Sequence, residues 1–186
     1  MTVEEIFSQV AQHMIEGLMT HSQLCDYFNF LGLKGFAKCH EYHYFCENGD
    51  YKEIAWYYME HYNKLLLDLP FKNPGVIPEN WFNYTRQQVD AATRHNFIQV
   101  GLEKWVKWEQ ETKALYEKMY NELCGMGEVA AALALSKYIT SVDEELAEAR
   151  EKLLCYKSID FDIVEIMSRQ DDLYKKYKKK LREIKL

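Results

Sequence analysis

All three prolines of this 186-residue chain, Pro70, Pro74 and Pro78, lie in one stretch, Asp68–Tyr84. Glycine is also scarce, at 8 residues. Proline and glycine are the residues that most readily interrupt regular structure. Before and after the proline stretch, apolar side chains recur every three to four residues, the spacing of helices that bury one face. The chain is therefore read as all-α, with long helices and one long internal connection.

The first helix is expected from about Thr2 to Leu31. Thr2 and Glu5 have the spacing of a capping box, and Phe7, Val10, Met14, Leu18, His21, Cys25 and Phe28 form its stripe. The segment Gly32–Gly35 makes a short turn, so a second helix, about Phe36–Leu67, should return antiparallel. Within it, Glu47-Asn-Gly-Asp50 is a turn signal and predicts a break. The proline stretch then has the length to travel the height of a bundle. That sets a third helix, about Thr85–Leu123, parallel to the second. A fourth is expected over about Glu128–Tyr156, with a seam through Leu135, Ile139, Val142, Leu146, Ala149 and Leu153. A fifth starts near Asp160. The expected organisation is a single helical domain over 1–186: a four-helix bundle over 2–156 and a C-terminal helix with a basic tail over 157–186.

Charge is unevenly placed. Leu173–Leu186 holds seven basic residues and one acidic, +6 in a chain of net charge −6, which leaves −12 on the remainder. An acidic body disfavours nucleic acid as a partner. The tail is expected to be solvated or to dock on its own body, with phosphate or an acidic partner as the alternatives. The five cysteines, Cys25, Cys39, Cys46, Cys124 and Cys155, are odd in number and form no C-x-x-C pair. That is the usage of free thiols in a reducing cytoplasm. The start, MTVEEIFSQV, has no basic region followed by an apolar core, so no signal peptide is expected. No apolar run is long enough to span a bilayer. Glycine-rich phosphate loops, serine-hydrolase elbows and zinc-finger spacings are all missing from the sequence.

Polar residues interrupt the apolar stripes. His21 stands in the first, Glu109 in the third and Asp143 in the fourth. Buried ionisable groups are costly unless paired or bound to metal. Folding the first two helices about Leu33 sets His21 between His43 and Glu47. His40, His43 and Glu47 share one face. Folding the third and fourth about Met126 sets Glu109 opposite Asp143. The two sets then fall within about one residue of the same height, roughly 1.5 Å of helix rise. Imidazole and carboxylate together suit iron, manganese or zinc.

The order of short turn, long crossover, short turn and small fifth helix resembles the ferritin-like superfamily over roughly residues 2–156. A fainter resemblance is to small helical proteins carried by phages and prophages of Gram-positive bacteria. The first resemblance implies an up-down-down-up bundle with a metal site in its core. The ligands would be His21, His43, Glu47, Glu109 and Asp143, the metal iron or manganese, and the chemistry redox linked to oxygen or peroxide. It also implies a homo-oligomer. The di-iron members of that superfamily carry Glu-x-x-His pairs. This chain has none, and its nearest equivalents are His40-x-x-His43 and Glu60-x-x-Asn63.

Each polar residue also has a structural explanation. His21 can be a neutral core histidine bonded to a tyrosine or carboxylate. Glu109 stands between Trp105 and Tyr116 and can bond a buried ring. Asp143, flanked by Glu144 and Glu145, can belong to a solvated acidic patch. The competing function is a non-enzymatic helical interaction protein without metal. Its partner surface would be the basic C-terminal helix or the aromatic set Trp81, Phe82 and Tyr84. The polar set would then be a hydrogen-bonded network that fixes helix register.

Overall fold

The structure, a computed structural model, describes residues 1–67, 75 and 83–184. Most of the proline-containing connection, with Trp81 and Phe82, lies outside these residues. Among the described residues there is no strand.

Helix α1 spans Val3–Phe30. The capping box forms as its spacing predicts: the Glu5 N–H donates to Thr2 Oγ1 at 3.2 Å, and the Thr2 N–H donates to the Glu5 carboxylate at 2.7 Å. Helix α2 spans Lys34–Tyr62 and runs unbroken through Asn48-Gly49, which corrects the expected break. Buried Glu47 and Ile54 anchor it on either side. A glycine in a helix interior costs only about 1 kcal/mol relative to alanine, less than that packing returns. The helix ends before Leu67 because Asn63 turns left-handed at φ 50° and returns its N–H to the Met59 carbonyl.

Helix α3 spans Ala91–Gly125 and begins later than expected. Thr85 caps a single 3-10 turn, Arg86–Gln88, and Asp90 caps the long helix by accepting the Thr93 N–H at 2.8 Å. Helix α4 spans Val129–Ser158. The expected final helix is two pieces, α5 at Ile163–Ser168 and α6 at Gln170–Glu183.

Side-chain pairs fix the directions. Phe7 meets Tyr58, His21 meets His40 and Phe28 meets Phe36, so α2 is antiparallel to α1. His13 meets Thr112 and Tyr27 meets Phe97, so α3 is also antiparallel to α1, and hence parallel to α2. Tyr116 meets Tyr138, and Lys113 bonds Asp143, so α4 returns antiparallel to α3. The bundle is up-down-down-up.

Helix α6 lies along α2 and parallel to it. No side chain within α2 caps its start. Gln170 supplies the cap from α6: its Oε1 accepts the Gly35 N–H at 3.0 Å and the Phe36 N–H at 3.2 Å. Further along, the Lys38 ammonium sits over the Tyr174 ring, and Tyr42 packs on Tyr177. The basic tail is thus docked on its own body. Tyr177 is fully buried, while Lys175, Lys178 and Lys179 face outward.

The apolar interior forms two clusters. One gathers Leu24, Phe28, Phe36, Ile98 and Tyr177 near the α1–α2 turn. The other gathers Phe7, Met14, Tyr58, Met119 and Leu135 at the opposite end. Between them lies a buried polar layer of His21, His40, His43, Glu47, Glu109 and Thr112.

Candidate metal centre

The buried polar layer comes from α1, α2 and α3, and half-buried Glu145 joins it from α4. His21 comes from α1, His40, His43 and Glu47 from α2, Glu109 from α3 and Glu145 from α4. One donor atom from each of His21, Glu109 and Glu145 lies within 4.8 Å of the others. His21 Nε2 stands 3.6 Å from Glu109 Oε1, and His43 Nδ1 stands 3.4 Å from Glu145 Oε1. The Trp105 indole donates to Glu109 Oε1 at 3.0 Å. Behind the site, His21 Nδ1 and His40 Nδ1 are 3.1 Å apart, one donating to the other. The His40 ring stacks on Phe28, at 5.3 Å between centroids.

Glu47 reaches the interior because Gly17 faces it. A Cβ at residue 17 would stand 2.8 Å from the Glu47 carboxyl carbon. The Glu47 carboxyl lines a small cavity between α2 and α4 with Asp50, Ser141 and Glu145. Its volume is about 10 Å³, the room of a single water. Glu109 Oε2 and His40 Nε2 have no hydrogen-bond partner among the described residues.

Burial dominates the titration of these groups. It lowers His21 well below the usual imidazole value, and the neighbouring His43 and His40 add to this. His40 is lowered by burial and by His43. Burial raises Glu109 well above the ordinary carboxyl range, with Glu145 adding to it. Glu47 is raised by burial, then by Glu145 and Glu109. At the cavity, Asp50 is pushed up to about 7 by burial, Glu145 and Glu53. His43 goes the other way: burial opposes its charge, but Glu145 and Cys39 outweigh that and raise it well above the usual value. Burial thus favours the neutral forms of both His21 and Glu109 across their 3.6 Å contact.

Of the residues singled out in the sequence, His21, His43, Glu47 and Glu109 are brought together. Asp143 is not. Its side chain is 49% exposed and bonds Lys113 on the outer face at 2.5 Å. Glu145 takes the inner position. The cause is one residue of turn geometry. The α3–α4 connection folds back at Gly127, which adopts φ 79°, and not at Met126. Moving the fold-back point by one residue moves the partner of Glu109 by two, from Asp143 to Glu145. Two residues rotate a helical side chain by about 200°, from one face to the other. His40 and Trp105 also belong to the cluster. The shared face of His40 and His43 was the available signal for the first.

No family model matches the chain, and no curated protein matches it in sequence. Solved structures do match in fold. A humanized archaeal ferritin superposes with a TM-score of 0.73 at 15% identity, covering 92% of this chain and 94% of its own. An open pore ferritin from the hyperthermophilic archaeon Archaeoglobus fulgidus gives 0.73 at 14% identity, covering 92% and 95%. The fold is ferritin-like. An engineered closed form of the Archaeoglobus fulgidus ferritin gives 0.71 at 14% identity, again over 92% of this chain. At these identities the likeness is one of ferritin-like architecture.

The donor atoms of the site suit a first-row divalent metal. Imidazole and carboxylate donors bind such ions at about 2.0–2.2 Å. Donors around one ion then stand roughly 3–4 Å apart, so small side-chain rotations would bring His21, Glu109 and Glu145 to a common ion. Glu109 Oε2 and His21 Nε2 have no hydrogen-bond partner among the described residues, and a buried polar atom without a partner is costly. Among the described residues, no helix is long and apolar enough to cross a membrane.

Proposed function

We propose that this ferritin-like bundle binds iron or manganese in its polar layer. His21, Glu109 and Glu145 hold the ion, and His43 and Glu47 flank it as further donors. The observation that carries this is the convergence of one imidazole and two carboxylates within 4.8 Å, between the two apolar clusters of the core. When bound, such a metal supplies redox chemistry with oxygen or peroxide. The chain's own residues prepare for it. Trp105 fixes Glu109 by donating to one of its oxygens. The 3.4 Å contact with His43 orients Glu145. Without metal, burial favours the protonated forms of Glu47 and Glu109. A divalent cation replaces those protons and compensates the carboxylates, so loading releases protons and tightens as pH rises. The outer faces expose Trp56 on α2 and Leu133 on α4, which supports self-association as a homo-oligomer.

The test is elemental mass spectrometry of untagged protein after anaerobic iron or manganese addition and desalting. One or two metals per chain are expected in the natural sequence, and loss of them in Glu109→Ala with helicity kept. Absence of retained metal would assign the polar layer to a register-fixing network. The outward lysines of α6 would then be the surface to probe for a protein partner.

A further inference from the structure

We propose that Tyr177, on the C-terminal helix, is a positioning residue for the metal site, so that the site is complete only with α6 docked. The inference rests on the metal-binding reading above and goes beyond it in making α6 part of the site.

His43 is buried, and its ring is held from two sides. On the inner side it stacks with His21, 5.2 Å between centroids. On the outer side it meets Tyr177 at 6.3 Å. Cys39 stands one helical turn before His43, so both side chains share a face of α2. The buried Cys39 thiol lies in the same buried cluster as Tyr177, beside the Tyr177 hydroxyl. The same hydroxyl donates to Glu148 on α4. Glu148 lies three residues after Glu145, on the same face of α4. One phenol on α6 thus ties the His43 side of α2 to the Glu145 side of α4, at the level where the metal donors converge.

The placement of Tyr177 is itself well determined. The Gln170 amide caps α2 at one end of α6. Lys176 bonds Glu148 at 2.7 Å. The Lys180 ammonium lies over the Tyr42 ring at 4.8 Å. Tyr177 is fully buried in a helix whose other residues are mostly charged. A basic surface helix needs a reason to bury a phenol against a histidine and a thiol. Fixing that histidine, and through it Glu145, is such a reason. Groups that orient metal ligands typically change affinity by about 10–100-fold when removed.

The experiment uses Co(II) as the probe, read by its visible ligand-field absorption and by competition with a chromophoric chelator. The natural protein and Tyr177→Phe are compared. The phenylalanine keeps the ring and therefore the packing, and circular dichroism checks that helicity is kept. Tyr177→Phe should bind Co(II) at least tenfold more weakly with an altered absorption spectrum, while Lys179→Ala on the outer face of α6 should leave both unchanged. Hydrogen exchange gives a second readout. By reciprocity, Co(II) should slow exchange across α6 in the natural protein and less so in Tyr177→Phe. If the natural protein binds Co(II) and Tyr177→Phe matches it in affinity and spectrum, Tyr177 only packs and the inference is overturned. If the natural protein binds no Co(II), the metal reading has failed and the inference falls with it.

Discussion

Glu47 occupies the space that a side chain on Gly17 would fill, with only 2.8 Å between its carboxyl carbon and the position of a Cβ there. This close approach lets an acidic side chain lie against α1 inside the bundle. Gly17→Ala should therefore separate stability from metal binding. The alanine gains about 1 kcal/mol of helix propensity, and the displaced group is the far end of a flexible side chain. Thermal unfolding without metal should be unchanged or a few degrees higher, while metal affinity falls. A parallel loss of stability would show that Glu47 has nowhere else to go.

Asp143 and Glu145 sit two residues apart and should behave as opposites. Asp143→Asn breaks an exposed pair with Lys113, an interaction of about 0–1 kcal/mol, and should leave metal affinity unchanged. Glu145→Gln should weaken binding by about tenfold or more. Titration of both variants with Mn(II), followed by electron paramagnetic resonance, decides the matter. Equal effects would put the site elsewhere on α4.

Stability in the presence of a chelator should fall as pH rises above about 6.5. The sign follows from proton counts. Glu47 and Glu109, raised by burial, keep protons that the unfolded chain has already released. His43, held charged by Glu145 and Cys39 against the effect of burial, does the same. The folded state then binds more protons, so stability declines with pH. Below about 6.5, burial keeps His13 near 4 and His21 lower than usual. These histidines act in the opposite sense to the carboxyls, and the slope there should be small. Glu109→Gln should make the decline shallower. Unfolding midpoints from pH 6.5 to 8.5 test this, and an identical slope in the variant would rule out Glu109 as a source.

Gln170 caps α2 across more than 130 residues of sequence. Gln170→Ala should leave the Gly35 and Phe36 N–H groups buried without an acceptor, at a cost of about 1–2 kcal/mol. Hydrogen exchange should rise first at the start of α2 and along α6. Protection lost uniformly across the bundle would mean that α6 is not separately anchored.

The fold was legible because breakers are rare and concentrated. Three prolines in one stretch marked the crossover, and the stripes marked the helices. Local turn chemistry was less dependable. Asn48-Gly49 is a turn signal, yet packing on both sides carries α2 through it. The division at Arg169 left no strong breaker to read. For the site, the stripe logic found His21 and Glu109, since a polar residue in an apolar stripe is visible at any register. Choosing among Asp143, Glu144 and Glu145 needed the fold-back point to within one residue, and Gly127 was the residue that set it. Gly17 was a further unread signal: a helix-interior glycine one turn before His21, level with the Glu47–Asp50 segment.

The polar layer is divided between two hairpins. Every imidazole in it belongs to α1 and α2, while Glu109 and Glu145 belong to α3 and α4. Neither hairpin carries the full donor set, so the site does not exist until the halves have met. A metal held there would act as a rivet between them, and its retention would certify correct assembly. Two separately produced hairpins that found each other only when the ion was supplied would display that dependence directly.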